Sequence, residues 1–259
     1  MRQRQPSVIL LILWMGVAIG CALAAPSREL VLDDNLKSLA ADIKYQNDRF
    51  LVIYHAPTRS PGPLDQSVIV FDKTFSRQFE RYPGYDIPDV KTITLVDAAV
   101  SSDGLLVVAA HVWSSLKQAA NVLFVYDLAK KDLVRIIRLN PIACVRVSVD
   151  YGNALWCLGM DVQKRDTLHQ DYNLVYRFSW DGVLEGKYVL RSSLPNNGQV
   201  GPQPQEPFIV GKLGSPQIVP SGGGVLIWLP NGRALVRVDP AGETSRTVLS
   251  TPEYVKQCY

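Results

Sequence analysis

Histidine and cysteine are scarce in this sequence, net charge is close to nil, and beyond the first 25 residues no long apolar run occurs. The chain has 259 residues with 3 His, 4 Cys, and 27 Lys and Arg set against 24 Asp and Glu, a formal charge of +3. Each shortage excludes something. With basic residues scattered among acids there is no electrostatic footprint for nucleic acid, and no such partner is expected. A G-x-S-x-G elbow, an H-E-x-x-H pair, a Walker loop, a C-x-x-C pair, a G-x-G-x-x-G fingerprint and D-x-D-x-D-G calcium loops are all missing. The usual sequence signals of hydrolase, nucleotide and dinucleotide sites are therefore absent. The glycines of SGGGV (221–225) lead into a strand rather than a helix, so they lack the amides of a phosphate cradle. No Asn-x-Ser/Thr sequon is present. Past the leader no long 3.6-residue periodicity appears, and LDDNLKSLAADI (32–43) reads as a short helix or the lead-in to a strand.

The first 25 residues differ from the rest. Arg2 and Arg4 precede VILLILWMGVAIGCALA, and small residues of an A-x-A type follow before Pro26, which predicts a secretory signal peptide over 1–25 and a secreted or periplasmic domain over 26–259. A retained membrane anchor is the alternative, because the run is nearly long enough to span a bilayer. A third reading makes Cys21 the lipidated cysteine of an anchored lipoprotein, although Ala18 stands where such motifs prefer Leu. Apart from export or that anchor, no membrane role is expected. Cys144, Cys157 and Cys258 remain, an odd number that allows at most one intramolecular disulfide. Cys144 and Cys157 flank the turn DYGN, and simple pairing sets Cys144 opposite Gly159, so a bridge between them needs a shifted register. A disulfide framework is not expected.

What the sequence has in abundance is short runs of strand-forming residues. FLVIY (50–54), LLVVA (105–109), ALWCL (154–158) and VLIWL (225–229) each follow a turn signal: QND, SSDG, DYGN or PSGGG. A second run follows each after a variable loop, as in SVIVFDKT, VLFVYDLAKKD, LVYRFSWDG and ALVRVDPAGE. A third closes the unit, as in LVRIIRL (133–139) and GKYVLRS (186–192), and another precedes it, as in TITLVDAAV and ACVRVSV. Four strands recurring every ~50–70 residues, four times over, predict an all-β β-propeller with blades near 36–90, 91–140, 141–194 and 208–252. A four-stranded meander has two apolar faces, and radial stacking covers both.

SSDGLLVVAA…VLFVYDL and DYGNALWCLGMD…NLVYRFSWDG resemble blades of the six-bladed propellers of the NHL, TolB-like and gluconolactonase-type classes. The likeness spans about 210 residues. It implies a ring of six where only four such units fill this chain, so the chain is truncated, the ring is short, or another copy completes it; TPEYVKQCY at the end reads as an interrupted connector, which favours truncation. The gluconolactonase likeness further implies a divalent cation, such as calcium, held by carboxylate and amide side chains at the channel mouth.

Candidate residues follow from aligning the repeats. Eight residues before FLVIY, LLVVA, ALWCL and VLIWL, the second strands of the four units, stand Asp42, Asp97, Arg146 and Gln217, predicted to open the innermost strands and ring the channel mouth. If the third blade is aligned by Asp150 instead, its position becomes Cys144. His55 and His111 end the second strands on the same face, with Trp113 just beyond. The long connections APTRSPGPLDQ, VWSSLKQAA, DVQKRDTLHQDY and the Pro- and Gly-rich stretch 192–215 emerge there too, and a long loop in a compact domain is commonly functional. Asp42 and Asp97 suit a hard cation, but more readily a capping or interblade role. Arg146 suits an anion or a pairing with Asp97. The two histidines suit a metal, a proton or plain hydrogen bonding. His169 lies in a polar loop, and Trp156 and Trp228 are expected in interblade packing. The expected function is non-catalytic binding of a small molecule or a protein on the loop-rich face, without a cofactor. The alternative is a metal-dependent, lactonase-like hydrolase, in which Arg146 would repel the cation.

Overall fold

The computed structural model describes residues 40–55, 64–116, 118–165, 171–194, 216–229 and 234–248. The expected leader, the remainder of stretch 195–215, and Cys21, His169 and Cys258 lie outside them.

Within the described residues the chain forms four four-stranded antiparallel sheets, each in sequence order from the inside outward. The first blade holds β1 (Ala40–Gln46), β2 (Arg49–His55), β3 (Ser67–Asp72) and β4 (Arg77–Arg81); the second holds β5 (Val90–Val100), β6 (Leu105–Ser114), β7 (Ala119–Asp127) and β8 (Asp132–Arg138). The third consists of β9 (Ile142–Val149), β10 (Leu155–Asp161), β11 (Asn173–Phe178) and β12 (Leu184–Leu190), and the fourth of β13 (Gln217–Ser221), β14 (Gly224–Leu229), β15 (Ala234–Val238) and β16 (Thr244–Val248). The described residues thus form four blades of a β-propeller, where the resemblance had implied a ring of six.

Alternation along each strand sends side chains to two faces, and adjacent blades bury those faces against each other. Leu106, Val108, Ala110 and Val112 of β6 point toward Leu51, Ile53, Val68 and Val70 of the first blade. Val107 and Ala109 point the other way, toward Val147, Val149, Leu155 and Cys157 of the third. Trp156 and Leu158 then meet Ile218, Ile227, Val236 and Val238 of the fourth. Trp156 is thus interblade packing, as expected. Trp228 is not: it pairs with Gln217 and Leu235 on the opposite face of the fourth blade, where it is half-exposed.

One end of the propeller is closed by short turns. In five of them the first residue donates its amide to the carbonyl four residues on and accepts at its own carbonyl the amide three residues on, and the fourth residue takes a positive φ. The first positions are Asp72, Ser101, Asp150, Ser179 and Asp239, and in each a side-chain oxygen accepts the amide four residues ahead. The left-handed positions are Phe75, Gly104, Asn153, Gly182 and Gly242, of which the glycines adopt this conformation without steric cost. Asn47–Asp48 and Gly222–Gly223, both pairs at positive φ, make the two-residue hairpins whose twist matches the strands.

The Cys144–Cys157 disulfide corrects the sequence expectation. Cys144 does pair with Gly159, as simple register requires. Directly below, however, the register shifts so that Val145 is extra, and the bulge brings the Cys144 and Cys157 Cα atoms to 5.5 Å. Gly159 is needed there: a Cβ on it would lie 2.1 Å from the Ala143 carbonyl oxygen.

Candidate functional site

The four aligned positions stand at nearly one height on the four innermost strands. Counting up from the last pair of each hairpin (Gln46↔Arg49, Val100↔Leu106, Val149↔Leu155, Ser221↔Gly224), Asp42 and Gln217 are four residues away and Asp97 and Arg146 three. Only Gln217 opens its strand; Asp97 is mid-strand, because β5 extends from Val90 to Val100 and rises well beyond it. The positions therefore stand at mid-height on the four innermost strands.

Their environments differ. Asp97 is buried, and its Oδ2 accepts from Lys44 Nζ at 3.1 Å and from the Val147 amide at 2.8 Å. Lys44 Nζ also donates to the Val147 carbonyl at 2.7 Å. Three blades thus meet at one ion pair. Just below, Gln46 donates to the Val149 carbonyl at 3.2 Å and accepts the Val100 amide at 3.3 Å, while Asn47 donates to the Val100 carbonyl at 2.7 Å. The expected Asp97–Arg146 pairing is not formed, because alternation turns Arg146 toward the fourth blade. Its Nε donates to the Pro216 carbonyl at 3.1 Å and its Nη1 to the Val145 carbonyl at 2.8 Å. Asp97, Arg146 and the start of β13 are therefore chained through neighbouring backbone groups. Asp42 and Gln217 are exposed.

Lys44, Gln46 and Asn47 were not singled out by repeat alignment, yet the signal was present. In DIKYQN the polar residues Asp42, Lys44 and Gln46 alternate on an innermost strand, where one face must reach the neighbouring blades.

The second group stands higher. His55 pairs with Ala40, six residues above Arg49 of its hairpin's last pair, and His111 pairs with Thr94, five above Leu106, so the two histidines end at nearly one level. The His55 side chain lies outside the described residues. His111 points into the seam between the second and third blades, and its Nδ1–H donates to Asn121 Oδ1. Burial holds its pKa below the ordinary 6.5, with the Asn121 bond opposing, so the ring stays neutral and offers Nε2 as an acceptor. Trp113 meets the His111 ring edge-on at 6.3 Å and keeps 37% of its surface exposed; Leu116, at the tip, is 78% exposed. The segment expected as a long loop, VWSSLKQAA, is mostly strand: β6 runs to Ser114 and β7 starts at Ala119, raising this hairpin as a ridge. Another connection on this face begins with the one-turn helix α1 (Val162–Arg165).

Among the described residues no three His, Cys, Asp or Glu side chains are grouped as a metal site would require. At mid-height Asp97 and Arg146 act as interblade fasteners. The ridge carries a neutral imidazole, an amide and an exposed indole, a surface suited to recognition by stacking and hydrogen bonding.

No protein-family model and no curated protein matches the sequence. Solved structures resemble it at low identity. The chain is 10% identical to the Dos1 propeller (TM-score 0.41), covering 86% of this chain and 50% of that one. For virginiamycin B lyase from Staphylococcus aureus the identity is 13% and the TM-score 0.36, covering 87% and 74%. For an acylaminoacyl peptidase the identity is 9% and the TM-score 0.44; 82% of this chain is covered but only 32% of the peptidase, so the chain spans about a third of that protein.

Proposed function

We propose that this chain is an extracytoplasmic binding propeller that holds a small molecule or a protein on its loop-bearing face and does no chemistry of its own. The observation that carries the reading is the contrast between the two ends. Short, side-chain-capped turns close one end, whereas the other raises the β6–β7 ridge with Trp113 and Leu116 exposed and His111 neutral beneath them. Asp97, a carboxylate the lactonase-like alternative needs, is bonded to Lys44 and to the Val147 amide of neighbouring blades, which favours a structural role for it, and Arg146, which would repel the cation, is bonded to the Pro216 carbonyl. Extracytoplasmic placement draws support from the apolar leader sequence and from the Cys144–Cys157 disulfide, a bond that persists in oxidising compartments.

The test is hydrogen exchange of the full chain with and without size-fractionated extract of the compartment to which it is exported. Protection gained over 105–124, and lost in Trp113→Ala/Leu116→Ser, is the expected result. Protection confined to other segments overturns the placement of the site. Stoichiometric divalent metal in the purified protein, lost in Asp97→Asn, overturns the non-catalytic reading in favour of the hydrolase.

A further inference from the structure

Away from the axis and the ridge, the described residues leave the outer part of the seam between the third and fourth blades open. A cleft of about 200 Å³ remains there, lined by Val189, Ser193, Leu194, Val236, Thr244 and Arg246. Its walls form because β12 ends in a sharp change of direction. Val189 has φ +60, in the left-handed region where a β-branched residue is strained, and the 3-10 turn Arg191–Ser193 follows at once. Strain of this kind persists only where its surroundings hold it, and it gathers at ligand clamps and switch regions. Inside the cleft Val189, Leu194 and Val236 supply aliphatic surface, with Leu194 and Val236 buried. At the rim Arg246 donates from Nη1 to the Ser193 carbonyl, which fixes the guanidinium at the opening. No carboxylate among the described residues pairs with Arg246. Ser193 and Thr244 belong to the same lining, the Ser193 hydroxyl donating to the Leu190 carbonyl at 2.6 Å.

We infer that this cleft is a binding site for a small branched aliphatic monocarboxylate. An arginine held by one N–H keeps further donors in a planar fork that matches a carboxylate. An aliphatic pocket behind it selects a hydrocarbon body rather than a second charge. At the usual interior packing density of about 0.75, the cleft takes about 150 Å³ of ligand atoms, the size of an acid of about six to eight carbons. The inference is independent of the ridge, because the two places share no residue.

The probe is 4-methylpentanoate, with 4-methylpentanamide as its uncharged counterpart, titrated against the full chain by ligand-observed NMR and calorimetry. The acid binds, and the amide binds at least about tenfold more weakly. Arg246→Gln, on the exposed face of β16, weakens the acid by a similar factor without altering the circular dichroism spectrum, and Arg246→Lys restores part of the loss. Val236→Phe fills the cleft and removes binding of both compounds. If that variant fails to fold, the Arg246 pair and the amide comparison decide. No binding of the acid, equal binding of acid and amide, or binding unchanged in Arg246→Gln overturns the assignment.

Discussion

At the scale of single residues, Lys44 and Asp97 show what the axis of this propeller requires. Inner strands from three blades converge, and their backbone groups need partners that water cannot supply. One carboxylate takes the Val147 amide and the Lys44 ammonium together, and the same ammonium takes the Val147 carbonyl. Removing one partner leaves the other desolvated, so Asp97→Ala and Lys44→Met are each expected to cost ~2–4 kcal/mol of unfolding free energy. The double variant loses less than the sum, and a double-mutant cycle from urea titrations reads the coupling; strict additivity would deny that the two side chains act as a unit. His111 gives the second prediction at this scale. Its folded pKa lies below 6.5 because burial disfavours the imidazolium. The unfolded chain therefore takes up a proton at a pH where the folded chain does not, and stability falls as pH drops from about 6.5 toward the folded value. Urea midpoints at pH 7.5 and 5.5 should differ by more in the parent than in His111→Gln, and an equal difference would place the pH dependence elsewhere.

At the scale of elements, the turns were the most legible part of the sequence. SSDG, DYGN, SWDG and DPAG mark the closed end because each supplies a side-chain oxygen at the first position and a residue tolerant of positive φ at the fourth. DKTFS makes the same turn with Phe75 in the left-handed position, which composition does not advertise. The disulfide was misread for a related reason. Strand pairing alone placed Cys144 opposite Gly159, which is correct, but a one-residue bulge at Val145 leaves no mark in the residue pattern. Gly159 is the nearest thing to a mark, since a glycine inside a strand signals a close approach of backbones. Gly159→Ala forces its methyl group onto the Ala143 carbonyl and Cys144, so it should destabilise the chain by ~2–4 kcal/mol, whereas Gly152→Ala, with only the Asp150 side chain nearby, should cost less than ~1 kcal/mol. A non-reduced peptide map should show Cys144 joined to Cys157. Free thiols at both positions would remove the bridge and with it one support for an exported protein.

For the whole molecule, the period of four strands per unit was readable, since turns and apolar runs recur in step. What partners a given polar side chain was not readable: Asp97 finds Lys44 from a strand 53 residues earlier, and Arg146 finds Pro216 70 residues later. Such pairings depend on how blades face each other, which repeat alignment leaves open. The same arrangement governs stability. Each blade is held chiefly by its neighbours through three seams, so the second and third blades are covered on both faces. The end blades carry less cover. Ile43 and Tyr45 on the first blade are 58% and 56% exposed, and on the fourth Val219 is 44% exposed with Leu226, Trp228 and Leu235 half-exposed around it. A blade buried on one face gains roughly half the apolar burial of a blade buried on both, so local opening is less costly there. Native-state hydrogen exchange should therefore find the slowest amides in β6, β7, β10 and β11, with β13–β16 exchanging by a lower-energy opening that shows a smaller denaturant dependence. Trp156→Ala, which empties the seam to the fourth blade, should hasten exchange in β13–β16 more than in β1–β4. Equal protection in all four blades would mean that they open as one body, and the seams would then have to be coupled through the axis by the Lys44–Asp97 pair rather than by nearest-neighbour packing.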